Sequence, residues 1–391
     1  MKTIPRVARR SLRRWLANHL ERGASGLGVS LGLLVLACRA EPAKRLFVAA
    51  SAPALRIEGR VEHSRPGRIR IGFPGVCLKL RFQSRSLKLR ASSSSGRNYL
   101  SVRVDGGTTR VVHVSQFLRE LPLATDLAPG DHEVEIVSRN ETWQGVLSVF
   151  GFSLDPDGRP LSVAPAATRK LLFVGDSVTC GEGVDRGARC GKAPRDSNAE
   201  HSYGRLVAQA LSRDGVGTES HLVCYGGRGL VYDWQGRTDV LNAPQFVDLA
   251  LPELGAEAWD WSKYVPDAVV ISLGTNDFAL GRVPAREWFV SEYVTFVRKL
   301  RTHAPDAWFL LTEGSIVDAE QKTRLREYLH ETVRRLGDRK VSVFEASRQP
   351  GTPCDVHPTF EQHHAMAAEL LAVLRPLLGA SVKTPELRNE P

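Results

Sequence analysis

The chain has 391 residues, 42% of them hydrophobic and 25% charged, enough to bury more than one core and too apolar for an extended disordered chain. Of its net charge of +10, residues 1–38 carry +6, from seven Lys/Arg against one Glu. With so little excess charge left for the remainder, a nucleic-acid partner is not expected.

The first segment is a leader. Basic residues from Lys2 to Arg22 precede an apolar run, Leu27 to Cys38, that is shorter than the ~20 residues a membrane-spanning helix needs. Residues 1–38 therefore read as an export signal. Val35-Leu36-Ala37-Cys38 resembles a bacterial lipobox, in which Cys38 would be lipidated. Ordinary cleavage near Cys38-Arg39-Ala40 is the alternative, and Arg9-Arg10 is a faint twin-arginine signal. Contact with a membrane is expected only through such an anchor, at the cell envelope or after secretion.

From 54 to 154 the pattern is short and alternating. Val76, Leu78, Leu80 and Phe82 alternate with polar or small residues, as do Leu100, Val102 and Val104, and then Val134 and Ile136. Turns are signalled at Asp105-Gly106-Gly107 and Pro129-Gly130-Asp131. This spacing predicts an all-β jelly-roll sandwich. Residues 155–168, with Pro156, Gly158, Pro160 and Pro165, read as a linker.

From 169 to 378 compact apolar runs alternate with helical periodicity. Strands are predicted at Leu171–Val174, His221–Tyr225, Val269–Leu273, Trp308–Thr312 and Val341–Phe344, and helices over Trp288–Leu300 and Leu325–Leu336. Thr359-Phe360-Glu361-Gln362 supplies a capping box for a last helix running through Leu374. The fold class is thus multi-domain, a β-sandwich followed by a three-layer α/β domain with a mainly parallel sheet, and then a tail at 379–391.

Three polar segments follow predicted strands: Gly175-Asp176-Ser177, Gly274-Thr275-Asn276-Asp277 and His357-Pro358. In a parallel α/β sheet, residues beyond the carboxyl ends of strands converge on one edge. A serine, an amide donor and an imidazole are the parts acyl transfer requires. The hydroxyl is a poor nucleophile unless a base takes its proton, and the anion formed on the acyl oxygen needs fixed donors. No cofactor is needed for this chemistry. No metal pattern appears either, since CxxC pairs are lacking and His363-His364 are adjacent on a predicted helix.

On these residues the chain resembles the SGNH (GDSL-type) hydrolases. Val174-Gly175-Asp176-Ser177-Val178-Thr179 matches their nucleophile block, Gly274-Thr275-Asn276-Asp277 their asparagine block and His357-Pro358 their histidine block. Tyr225-Gly226-Gly227-Arg228-Gly229 offers Gly227 for the looser glycine block. The order of sandwich then SGNH domain resembles carbohydrate esterase family 2, whose members remove acetyl groups from plant polysaccharides. The resemblance implies a serine esterase acting on acetylated xylan, glucomannan or another small acyl ester, and the chain is expected to work as a monomer. An SGNH lipase or thioesterase, and a non-catalytic carbohydrate-binding protein, are the alternatives.

The resemblance implies Ser177 as nucleophile, His357 as general base, and the Ser177 and Gly227 N–H groups with the Asn276 amide as oxyanion hole. One position departs from the pattern. SGNH enzymes carry an aspartate three residues before the histidine, where this chain has Cys354, and Asp355 is only two before His357. A Ser177–His357 dyad with the imidazole held by a backbone carbonyl is therefore the expectation, and Asp355 is the alternative third member. Arg228, Tyr232 and Trp234 near the glycine block are candidate sugar contacts. Among the cysteines after Cys38, an odd number leaves at least one thiol free, and Cys180–Cys190 is the expected disulfide because it brackets the loop after the nucleophile.

Overall fold

The computed structural model describes residues 44–63, 66–162 and 167–379. Cys38 and the rest of the leader lie outside the described residues, as does the tail beyond Gly379.

The first half consists of β1 (Leu46–Ala49), β2 (Leu55–Glu58), β3 (Ile69–Ile71), β4 (Cys77–Gln83), β5 (Leu87–Ser93), β6 (Asn98–Val104), β7 (Arg110–Val114), β8 (Arg119–Ala124), β9 (His132–Ser138), β10 (Leu147–Leu154) and β11 (Arg159–Leu161). They pair into two antiparallel sheets. One has the order β1-β10-β5-β8 with β3 also on β10, and the other β11-β4-β9-β6-β7 with β2 on β4. Because side chains alternate faces along a strand, Leu78, Leu80 and Phe82 of β4 meet Leu87 and Leu89 of β5 and Phe152 of β10 in one core. Each such side chain contributes about 1.5–3 kcal/mol on leaving water. The segment read as a linker is partly structured, since β11 pairs with β4 through Arg159↔Gln83 and Leu161↔Arg81. Its Pro160 is tolerated because β11 is an edge strand, where a missing N–H breaks no ladder bond.

The second half runs β12 (Arg169–Gly175), α1 (Ser177–Cys180), α2 (Tyr203–Arg213), β13 (Thr218–Cys224), α3 (Ala243–Phe246), β14 (Ala268–Ser272), α4 (Arg286–His303), β15 (Trp308–Thr312), α5 (Ala319–Leu336), β16 (Val341–Val343) and α6 (Phe360–Leu377). The sheet is parallel, with order β13-β12-β14-β15-β16. Helices cover both faces. Val290, Val294 and Val297 of α4 and Leu325 and Leu329 of α5 pack on one side, and Leu206 and Leu211 of α2 with Leu370 and Leu374 of α6 on the other. Strands buried on both faces need apolar residues throughout, which explains their compact runs. The capping box at Thr359 and Gln362 starts α6 as the sequence predicts. The chain leaves β12 toward β13 on one side and returns to β14 on the other. That reversal opens a crevice at the carboxyl end of β12, where ligands bind in this architecture.

The disulfides differ from the expected Cys180–Cys190 pair. Cys180 bonds Cys224 and Cys190 bonds Cys354, with Cα separations of 5.7 and 5.1 Å, and buried Cys77 stays free. The reason is tertiary. Helix α1 lays Cys180 against the end of the neighbouring strand β13, while Cys190 sits on a loop that reaches the segment before α6.

Candidate active site

Ser177 is the first residue of α1, two residues past the end of β12, and is 7% exposed. Asp176 caps that turn, its carboxylate accepting from the Val178 N–H at 3.0 Å. Burial pushes the Asp176 carboxyl up to about 6, against the pull of the Val178 N–H and the neighbouring His357.

His357 arrives from the loop between β16 and α6. Its Nε2 lies 2.8 Å from Ser177 Oγ, and its Nδ1 lies 2.6 Å from Asp355 Oδ1. The expectation that a backbone carbonyl holds the imidazole and that Asp355 stands aside is therefore corrected. Asp355 reaches Nδ1 from a different sequence offset because its segment turns back on itself. Thr352 and Asp355 exchange backbone hydrogen bonds of 2.9 and 3.2 Å, and Asp355 Oδ1 also accepts from the His357 N–H at 3.0 Å. The other carboxylate oxygen is 2.9 Å from Nη1 of Arg186, whose side chain is 1% exposed. Burial alone would raise the Asp355 pKa. The hydrogen bonds from His357 and the charges of His357 and Lys192 outweigh it, holding the carboxyl well below the usual range.

Sequence reading missed the charges around this pair. Lys192 Nζ stands 3.2 Å from His357 Nδ1, 3.6 Å from Asp355 Oδ2 and 2.7 Å from Glu182 Oε1. Glu182 Oε2 is 3.5 Å from His357 Nε2. No local motif announces Arg186, Lys192 or Glu182, since each matters only once the 182–192 loop folds over the histidine segment.

Asn276 follows β14 and lines the same cleft, its Nδ2 donating to the Arg228 carbonyl at 2.9 Å. Gly227 has φ +75°, and a Cβ there would stand 2.9 Å from the Trp234 ring, so glycine is required for this approach. Asp277, the last residue of the asparagine motif, fixes the glycine loop. Its buried carboxylate accepts from the backbone N–H groups of Leu230, Val231 and Tyr232 at 2.9, 2.7 and 2.9 Å. Burial nonetheless leaves its carboxyl raised. The sandwich contributes to the same loop, for Glu141 accepts from the Gly226 N–H.

Ser177, His357, Glu182, Lys192, Gly227 and Asn276 line a cleft of about 690 Å³ that also includes Trp143, Trp234, Phe278, Val317 and Val356. Of the three candidate sugar contacts, only Trp234 lines it. Arg228 stacks over Tyr225 at 5.1 Å and pairs with Asp233 at 3.4 Å, while Tyr232 packs edge-on against Trp288 and beneath Arg282. Their side chains are occupied elsewhere. Trp143 comes from a turn of the sandwich between β9 and β10, is 42% exposed and was not anticipated. A tryptophan within a polar run, Asn140-Glu141-Thr142-Trp143-Gln144, was the available signal.

Residues 57–165 match the family described as carbohydrate esterase 2 N-terminal, and residues 173–368 match the GDSL-like lipase/acylhydrolase family. An acetylxylan esterase / glucomannan deacetylase of Cellvibrio japonicus is 37% identical over 85% of this chain and 91% of its own length. The chain belongs to carbohydrate esterase family 2. It is a carboxylic ester hydrolase with the two-domain architecture of that family. A family two esterase structure from Cellvibrio japonicus superposes with a TM-score of 0.81 at 35% identity, covering 86% of this chain and 98% of its own. One from Clostridium thermocellum, in complex with cellohexaose, gives 0.77 at 28% identity over 84% of this chain and 100% of its own.

Proposed function

We propose that this esterase removes acetyl groups from plant polysaccharide, xylan or glucomannan, through an acyl-enzyme on Ser177. His357 Nε2 takes the Ser177 proton as Oγ attacks the acetyl carbon, and gives it to the sugar oxygen as the acyl C–O bond breaks, releasing the sugar hydroxyl. Asp355 keeps the proton of His357 on Nδ1, so that Nε2 is free to accept. The N–H groups of Ser177 and Gly227 and the Asn276 amide hold the oxyanion. Water then enters by the same route and releases acetate. The 2.8 Å contact between Ser177 Oγ and His357 Nε2, in a cleft lined by tryptophans from both domains, carries this reading. Trp143 and Trp234 offer flat apolar faces for a sugar ring.

We also propose that the sandwich, expected over 54–154, extends to take in β1 and β11, that the hydrolase domain spans 169–378, and that the mature protein is exported. Its two disulfides fit an oxidising compartment. Lipidation at Cys38 would tether it to the envelope, and Cys38→Ser would then release it from the membrane fraction.

The test is acetate release by the purified chain from acetylated xylan, acetylated glucomannan and 4-nitrophenyl acetate, with Ser177→Ala as control. Hydrolysis of all three by the wild type and none by Ser177→Ala is expected. Full turnover by a folded Ser177→Ala variant would refute the nucleophile. Faster cleavage of long-chain acyl esters than of acetate would replace this reading with a lipase-like one.

A further inference from the structure

We infer that the Cys190–Cys354 disulfide sets the working position of the Asp355–His357 pair, so that turnover requires this bond intact. The inference rests on the Ser177–His357 reading above. The histidine segment between β16 and α6 has no regular secondary structure from Glu345 to Thr359 apart from the Thr352–Asp355 bridge. Its first part is tied to other elements, Gln349 N–H to the Ser315 carbonyl at 2.8 Å and Arg348 to the Val317 carbonyl at 3.2 Å, and the part nearest Asp355 and His357 is held by the 182–192 loop.

That loop touches the segment through Arg186, through Lys192 and through Cys190. Arg186 pairs with Asp355 Oδ2 at 2.9 Å and donates to the His357 carbonyl at 3.3 Å, while Lys192 reaches His357 Nδ1 at 3.2 Å. Only the link at Cys190 is covalent, and its far end, Cys354, immediately precedes Asp355. The loop itself is weakly structured: between the 3-10 turns Val184–Arg186 and Pro194–Asp196 it has no regular element. Without the disulfide, two irregular segments would be joined only by side-chain contacts, and positions of catalytic groups matter at the scale of 1 Å. The two linked segments add Glu182, Lys192 and Val356 to the cleft, but its tryptophans and Phe278 come from other elements, Trp143 from the sandwich, Trp234 from the glycine loop and Phe278 from the loop after β14. Loss of the bond therefore reaches kcat before KM.

Access separates the two disulfides. Cys190 and Cys354 are exposed, whereas Cys180 and Cys224 are 2% and 1% exposed and the free thiol of Cys77 is fully buried. A dithiol such as dithiothreitol attacks the exposed sulfurs first. It supplies two electrons and two protons, closes to its own cyclic disulfide and leaves Cys190 and Cys354 as thiols.

The test treats the native full chain with dithiothreitol, maps free thiols by iodoacetamide labelling and mass spectrometry, and follows 4-nitrophenyl acetate hydrolysis. Labelling at Cys190 and Cys354 should accompany a fall in kcat of tenfold or more, with KM within threefold and recovery on reoxidation. The Cys190→Ser/Cys354→Ser variant should show the same low kcat without reductant and ignore it. In that background Asp355→Asn should cost much less than in the wild type, because the pair it breaks is already displaced. A purely structural bond would leave the Asp355→Asn penalty undiminished. A kcat within twofold of wild type in the folded double-serine variant would overturn the inference. If Ser177→Ala is inactive in the same assay, that outcome leaves the nucleophile reading standing, and an active Ser177→Ala would remove the reading beneath it.

Discussion

Replacing Asp355 by asparagine should shift the proton of His357 from Nδ1 to Nε2. In the wild type the carboxylate, 2.6 Å from Nδ1, favours a proton there, leaving Nε2 bare toward Ser177. Asparagine can present its amide N–H instead, and Lys192 Nζ already stands 3.2 Å from the same nitrogen with nothing but donors. Both changes turn Nδ1 into an acceptor, and an imidazole protonated at Nε2 cannot take the serine proton. Where a triad aspartate sets the tautomer, this substitution costs about 10⁴ in turnover, which is roughly 5.4 kcal/mol of barrier. The buried Arg186 also loses its carboxylate partner, so the variant's fold should be checked by circular dichroism before kinetics. Steady-state hydrolysis of 4-nitrophenyl acetate should show kcat reduced about 10³- to 10⁴-fold with little change in KM. Adding Lys192→Met should recover part of the loss, because the ammonium that favours the wrong tautomer is gone. A folded Asp355→Asn enzyme within about tenfold of wild type, roughly 1.4 kcal/mol, would refute the tautomer argument.

Asn276→Ala should lower kcat by about 10²- to 10³-fold, the usual cost of one oxyanion donor, and an unchanged kcat would take Asn276 out of the hole. Trp143→Ala should raise KM on acetylated glucomannan by about tenfold, worth roughly 1.4 kcal/mol, while leaving 4-nitrophenyl acetate kinetics alone; equal effects on both would mean the ring shapes the reacting centre. Ser177→Ala and His357→Ala should each be inactive, and the double variant little worse than either, because groups acting as one unit are not additive. Burial, helped by the neighbouring His357, pushes the His363 pKa down to about 3. Its contribution to stability is therefore full above the unfolded value near 6.5 and is lost as pH falls, by about 2 kcal/mol between pH 7 and pH 5. Urea unfolding at the two pH values should show this loss in the wild type and a smaller one in His363→Asn, and identical losses would refute it.

What the sequence showed of this site depends on range. Ser177, Asn276 and His357 were legible because each stands just past a strand or before a capped helix, so a few neighbouring residues announce the backbone geometry that aims them. Asp355 was misjudged because its approach to Nδ1 depends on a reverse turn closed at Thr352, which one-dimensional spacing does not encode. The cysteine partners failed for a related reason: 44 and 164 residues separate them, and only the strand order brings Cys224 beside Cys180. Arg228 and Tyr232 were plausible by position, but Asp233 and Trp288 compete for their side chains.

The turn that delivers Trp143 has a consequence for how this protein can be divided. Between Arg139 and Gln144 the sandwich grips loops of the other half: Arg139 donates to the Arg195 carbonyl at 3.1 Å, Asn140 to the Pro194 carbonyl at 2.7 Å, and Gln144 to Ser197 Oγ at 3.0 Å. Glu141, meanwhile, accepts from the Gly226 N–H, next to Gly227 in the glycine loop. A gene cut at the apparent boundary near residue 160 would yield a hydrolase lacking one wall of its cleft and one support of its glycine loop. The two halves are therefore not transferable parts. Grafting this activity onto another scaffold, or shuffling it with other polysaccharide-binding units, has to carry both together.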